Sequence, residues 1–147
     1  LKILRSCRKT RIKIRVLIIF GFPGETKEEA EKTLAFLLKN KELYDSLALQ
    51  PFRLEKNTEL FQFGQKQGLL KWIDKRDRKR GLGTRFGYDY EPVAGMTQAE
   101  TEQFMEHAMA SFKKDKNLII LRPPFNDGTF IIEKRSKRAL DGARSLE

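Results

Sequence analysis

The residues with the most to offer chemically stand in one bend, Gly21-Phe22-Pro23-Gly24-Glu25-Thr26, between an apolar run and a helix-forming stretch. Gly21 lets the backbone turn and come close to a ligand without a Cβ in the way, and Gly24 can take a positive φ just before the helix. Pro23 stiffens the bend. Glu25 lies at the helix mouth, its carboxylate placed to accept from local amides. This is not a phosphate loop. No Gly-Lys-Ser/Thr ending follows, and Glu25, Glu28 and Glu29 repel an anion at the helix start. A cationic or neutral ligand suits the edge; on these residues alone, so does the role of a rigid connector.

Other chemistry is thin. Cys7 is the sole cysteine, which excludes an internal disulfide and fits a reducing cytoplasm. With no base or second cysteine near it in sequence, it reads as a small buried hydrophobe. His107, the sole histidine, has no positioned partner in sequence and reads as a surface or half-buried side chain, not a general base. No spacing of ligand types suggests a metal site, and no residue is assigned a catalytic role. Trp72, Phe86, Tyr88 and Tyr90 interleave with Lys71, Lys75, Arg76, Arg78, Lys79, Arg80 and Arg85, a mixture able to stack on bases and contact phosphates. Packing of a tethered loop explains it equally. The formal net charge of +10 raises nucleic acid as a partner, but the excess is spread over three stretches, as on the solvated faces of a basic protein.

The elements that must position the bend follow from hydropathy. The chain has 147 residues, 39% of them apolar and 34% charged, enough for one domain or a piece of a larger protein. No apolar run is long enough to span a membrane, and no signal peptide pattern opens the chain. Leu1, Leu4 and Cys7 recur at helical spacing, predicting the end of an amphipathic helix over 1–9 with Cys7 on its buried face. Residues 11–20 alternate and then become wholly apolar, which predicts a parallel strand covered on both faces. Thr26 with Glu29 forms a capping box for a helix to about Asn40, with Ala30, Leu34, Leu37 and Leu38 as its stripe. Residues 46–50 read as a second strand stopped by Pro51, parallel to the first across the helical crossover. A short helix from Glu59 and a largely loop segment over 74–95 come next. Thr97 with Glu100 caps a second helix whose buried face carries Phe104, Ala108 and Phe112 beside Met105 and Met109. Residues 117–121 and 127–135 suggest a hairpin with a turn at Asp127-Gly128.

Two stretches, LIIFGFPGETKEEAEKTLAFL and DSLALQPFRLEKNTELF, resemble the second half of the radical S-adenosylmethionine barrel. The likeness is to the branch of cobalamin-linked enzymes, anaerobic cyclases and methylthiotransferases. It covers residues 1–62 well and 95–113 loosely. Where the family has Pro-Gly-Thr or Pro-Gly-Ser after the second strand, this chain has Lys56-Asn57-Thr58. The resemblance implies an α/β fold: a fragment of a partial (β/α) TIM-like barrel with parallel strands, plus an α+β C-terminal extension. It divides the chain into late βαβ units over 1–62, an extension over 63–135 and a basic, frayed tail over 136–147.

By that likeness Ile19 lies against the adenine of S-adenosylmethionine, and Gly21, Phe22, Pro23, Gly24 and Glu25 support the same cofactor. Gln50, Phe52 and Arg53 face cofactor or substrate. The family's [4Fe–4S] cluster needs three cysteines at Cys-x3-Cys-x2-Cys spacing, so its ligands are expected upstream of Leu1. The chain opens on Leu1 and closes on Arg-Ser-Leu-Glu, which is also read as marking a fragment. The expectation is a C-terminal portion of a cytoplasmic iron–sulfur oxidoreductase, not catalytically competent alone, with cobalamin as an open option and its substrate unassigned. Its partner is the rest of the parent barrel. Without it, exposed strand edges predict a dimer or swapped oligomer. The alternatives are a basic RNA-binding module attached to a modifying enzyme, and a non-catalytic α/β domain that keeps the bend for folding.

Overall fold

The computed structural model describes residues 1–73, 87–115, 118–121 and 130–134. Chain order runs α1 (Lys2–Lys9), β1 (Arg15–Phe20), α2 (Lys27–Lys39), a 3-10 turn (Lys41–Leu43), β2 (Ser46–Pro51), α3 (Glu59–Phe63), β3 (Leu70–Ile73), β4 (Tyr90–Pro92), α4 (Gln98–Lys113), β5 (Leu118–Leu121) and β6 (Phe130–Lys134).

Four strands form a mixed sheet in the order β1-β2-β6-β5. β1 and β2 run parallel, with Arg15 opposite Ser46 and Ile19 opposite Gln50. α2 makes the crossover between them, as two parallel neighbours require. β6 then pairs antiparallel with β2, and β5 antiparallel with β6. The two segments expected to form a hairpin do pair; the turn assigned to Asp127-Gly128 lies outside the described residues. The described strands make an open sheet and not a closed barrel, and only β1 and β2 are parallel. The antiparallel β6 occupies the edge of β2 where a further parallel strand would have to sit.

Both long helices begin where the sequence caps them. Thr26 accepts from the Glu29 N–H while the Glu29 carboxylate accepts from the Thr26 N–H, and Thr97 and Glu100 repeat the arrangement. Each satisfies amides that an uncapped helix leaves orphaned. Ala30, Leu34 and Leu37 from α2 and Phe104, Met105, Ala108 and Phe112 from α4 close over Phe20, Leu47, Leu49 and Ile132. Full burial of each large side chain stabilises the fold by about 1.5–3 kcal/mol.

Both helices cover the same face. Ile14, just before β1, and Val16, Ile18 and Phe20 within it turn toward them, whereas Leu17 is 67% and Ile19 56% exposed on the other face. The expected double cover of β1 is therefore corrected. An unbroken apolar run shows that a strand tolerates cover on both faces, not that both are covered. α1 likewise buries no residue, and Cys7 is only half-buried.

A smaller layer forms beside the sheet. β3 and β4 pair antiparallel and, with the bridge between Leu54 and Tyr88, enclose Leu54, Leu70 and Tyr90. Residues 90–92 thus belong to a strand inside the stretch read as loop, while residues 74–86 lie outside the described part. Among the described residues no helix is long and apolar enough to cross a membrane.

Candidate functional site

The bend leaves the C-terminal end of β1. Phe20 closes the buried face, its ring edge-on to Phe104 at 5.0 Å. Gly21 follows at φ +81°, and a Cβ built there meets the Thr101 Oγ1 at 2.2 Å. The space freed by this glycine is taken by α4. Its missing side chain admits that helix. The Tyr90 hydroxyl donates to the Gly21 carbonyl at 3.3 Å, and burial raises the Tyr90 pKa to about 12.

Glu25 turns back on the bend. Its carboxylate accepts from the Gly21 N–H at 2.5 Å, and its own N–H donates to the Phe22 carbonyl at 2.8 Å. Burial pushes its pKa up, the Gly21 N–H opposes the rise and neighbouring Glu29 adds to it. Pro23 is buried inside the loop. From outside, residues 94–96 grip it: the Gly24 N–H donates to the Ala94 carbonyl and the Met96 N–H to the Glu25 carbonyl, both at 2.9 Å. Gly95 makes that approach possible, since a Cβ there would stand 2.6 Å from the Glu25 carbonyl oxygen. The bend is held rigid on two sides.

Two residues of the bend, and one just before it, form an accessible rim. Gly24, at φ +102°, has nothing within 4 Å of its absent Cβ; Phe22 is 50% exposed; and Ile19 stands on the uncovered sheet face just before it. Phe22 meets Phe52 edge-on at 5.0 Å, and Phe52 meets Tyr90 at 5.9 Å, an aromatic row from the rim into the smaller layer. The Phe52 N–H donates to the Phe20 carbonyl at 2.7 Å, which fixes the exit of β2 beside the bend. Gln50 and Arg53 are partly buried at that exit, with Gly87 packed near the Arg53 Cβ. The structure brings Ile19, residues 21–25, Gln50 and Phe52 to one end of the parallel pair, with Arg53 at its margin.

Sequence patterning missed Tyr90, Ala94, Gly95 and Thr101, which clamp the bend. Their signal was the alternation of Tyr88, Tyr90 and Pro92, an edge of strand character inside a charged stretch.

Among the described residues it presents an apolar wall, one open glycine and a carboxylate already engaged by an amide, an arrangement suited to binding. Among the described residues no group of three His, Cys, Asp or Glu could hold a metal. His107 lies on α4, where it faces Glu31 at 3.4 Å. Of the aromatics considered for base stacking, Trp72 donates to Glu91 at 2.6 Å, while Tyr90 is buried and Tyr88 packs on Phe61; Phe86 lies outside the described residues. A cleft of about 350 Å³ lies elsewhere, between the C-terminal ends of α2 and α4, lined by Lys41, Ser111, Phe112 and Asp115 among others. α2 alone, with 13 residues, separates it from the bend by about 20 Å.

No protein-family model, no curated protein and no solved structure matches this chain.

Proposed function

We propose that this chain is the closing part of a radical S-adenosylmethionine iron–sulfur oxidoreductase, a cytoplasmic enzyme whose cofactor pocket it walls on one side. The observation that carries the reading is the uncovered apolar face of β1 meeting a rigid, accessible rim at the strand's C-terminal end. In α/β proteins ligands bind beyond the carboxyl ends of parallel strands, and in a partial barrel the face turned from the helices lines the interior. Leu17 and Ile19 stand exposed on that face, with no helix of the described residues over them.

In this reading Ile19 supplies the apolar surface for an adenine ring, and Phe22 and Gly24 border it. Gly21, Pro23 and Glu25 shape the rim from within. Gln50, Phe52 and Arg53 continue the wall at the exit of β2. The acidic approach from Glu25, Glu28 and Glu29 favours a sulfonium over a phosphate. The cluster that supplies electrons for homolytic cleavage needs thiolates, and Cys7 alone cannot hold it. Its cysteines belong to a preceding segment of the same gene product, which also completes the barrel beyond the open edge of β1. β6, lying against β2, ends the barrel on the other side.

The test is anaerobic reconstitution of the intact gene product with iron and sulfide. The reading expects a [4Fe–4S] spectrum and, with a reductant, release of 5′-deoxyadenosine. Absence of a three-cysteine motif and of any cluster overturns it.

The cationic N-terminal stretch favours a second reading, a basic RNA-binding module. α1 buries no residue and ends in Arg8 and Lys9, with Arg11, Lys13 and Arg15 beyond it. Filter binding over a salt series separates the two, because phosphate-driven affinity falls steeply with salt.

A further inference from the structure

The smaller core of Leu54, Leu70 and Tyr90 contains a hydroxyl it does not need. Phenylalanine would fill nearly the same volume, and a buried hydroxyl costs stability unless it is bonded. The Tyr90 hydroxyl leaves that core and donates to the Gly21 carbonyl, the first carbonyl of the bend. Burial holds it protonated far above neutral pH, so it is a permanent donor.

Tyr90 is itself fixed by three elements. It stands opposite Ile73 where β3 pairs with β4. Its N–H donates to the Gln98 Oε1 of α4 at 3.2 Å, and the Gln98 Nε2 donates to the Tyr88 carbonyl at 3.4 Å. Its ring lies edge-on to Phe52, the exit of β2, and Phe52 lies edge-on to the half-exposed Phe22. One side chain thus reaches the rim twice, by its hydroxyl at Gly21 and through Phe52 at Phe22. The outer holds on Gly24 and Glu25, from Ala94 and Met96, are backbone bonds of the stretch that runs from β4 into α4. The rim therefore follows wherever β4 is placed.

We propose that Tyr90 is the positioning residue of the rim, tying the placement of Phe22 and Gly24 to that of the smaller layer. A binding edge keeps its geometry only when packed, hydrogen-bonded groups behind it are locked in turn. Such a tie is reciprocal: order that the smaller layer lends the rim is returned to it by a ligand on the rim. The inference rests on the pocket reading for which ligand occupies the rim, and on these contacts alone for how the rim is held.

Tyr90→Phe removes the hydroxyl and keeps the ring. Its control is Tyr44→Phe, which removes another buried hydroxyl, one that donates to the Leu37 carbonyl of α2 at 3.0 Å. Hydrogen–deuterium exchange on the 147-residue chain is expected to quicken several-fold over residues 21–26 in Tyr90→Phe, with residues 30–38 unchanged, and to stay at the parent rate over 21–26 in Tyr44→Phe. In the intact, reconstituted gene product, Tyr90→Phe is expected to raise the Kd for S-adenosylmethionine several-fold and Tyr44→Phe to leave it unchanged. Exchange over 21–26 that does not respond to Tyr90→Phe, that quickens equally over 30–38, or that responds equally to Tyr44→Phe overturns the proposal. So does a gene product that binds the cofactor equally well in both variants. If the parent gene product binds no S-adenosylmethionine, the pocket reading fails and the exchange decides the role of Tyr90 by itself. Should Tyr90→Phe fail to fold, Phe52→Leu, which breaks the aromatic row, must quicken exchange over 21–26 or the proposal falls.

Discussion

Replacing Gly21 by alanine asks the backbone to hold φ +81° with a Cβ that meets the Thr101 hydroxyl oxygen at 2.2 Å. Left-handed backbone alone costs a non-glycine residue about 1–3 kcal/mol, and the collision with α4 adds to that. Urea unfolding should therefore show a lower midpoint for Gly21→Ala, part of it recovered when Thr101→Gly opens the space. No recovery would mean that backbone angle alone matters there. Glu25 has a different dependence. Its pKa is raised in the fold, chiefly by burial, so the fold favours its protonated form. The stability it contributes is full below the ordinary carboxylate range and is lost as pH rises through its raised value. Glu25→Gln keeps an acceptor oxygen for the Gly21 N–H and carries no charge. Its stability relative to the parent should improve between pH 4 and pH 7; urea titrations that find a constant difference would contradict this.

Among the elements, the two capped helices were legible because a capping box is a local device, written within four residues. Thr26→Ala and Thr97→Ala should each cost about 1 kcal/mol in thermal or urea unfolding. Because the Met96 N–H donates to the Glu25 carbonyl, the two helix starts are neighbours and the double variant should depart from additivity. Glu29 and Glu100 have lowered pKa values, first through the N–H groups of Thr26 and Thr97. Asp45 is lowered first by the Ile14 N–H. The stability these three supply is present above the ordinary carboxylate range and lost as pH falls through their folded values. Asp45→Asn should blunt the acid loss measured by circular dichroism; an identical acid profile would count against the Asp45 contact. The strands were legible in pattern but not in surroundings. The apolar run of β1 marked a strand without saying what lay over Leu17 and Ile19. The pairing of residues 70–73 with 90–92 spans a charged stretch, and no local signal announces such a distant partner. The same limit applied at the bend: residues 21–26 stood out, but the clamp of Tyr90, Gly95 and Thr101 comes from far along the chain.

At the scale of the whole molecule, one face of a mixed sheet carries α2 and α4, and the other is polar at one end and apolar at the other. Arg15 lies across Ser46 to Glu133 near the N-terminal end of β1, and Leu17, Ile19 and Phe22 follow toward the rim. A surface pair such as Arg15–Glu133 contributes at most about 1 kcal/mol. The apolar end is therefore the part of this face with more to gain from cover. In the proposed enzyme that cover is the rest of the barrel and the cofactor it encloses. Hydrogen–deuterium exchange on the intact, reconstituted gene product, with and without S-adenosylmethionine, tests this most directly. The account predicts slowed exchange over residues 16–26 and 46–53 when the cofactor is present. Cofactor binding that leaves both segments unchanged would contradict it.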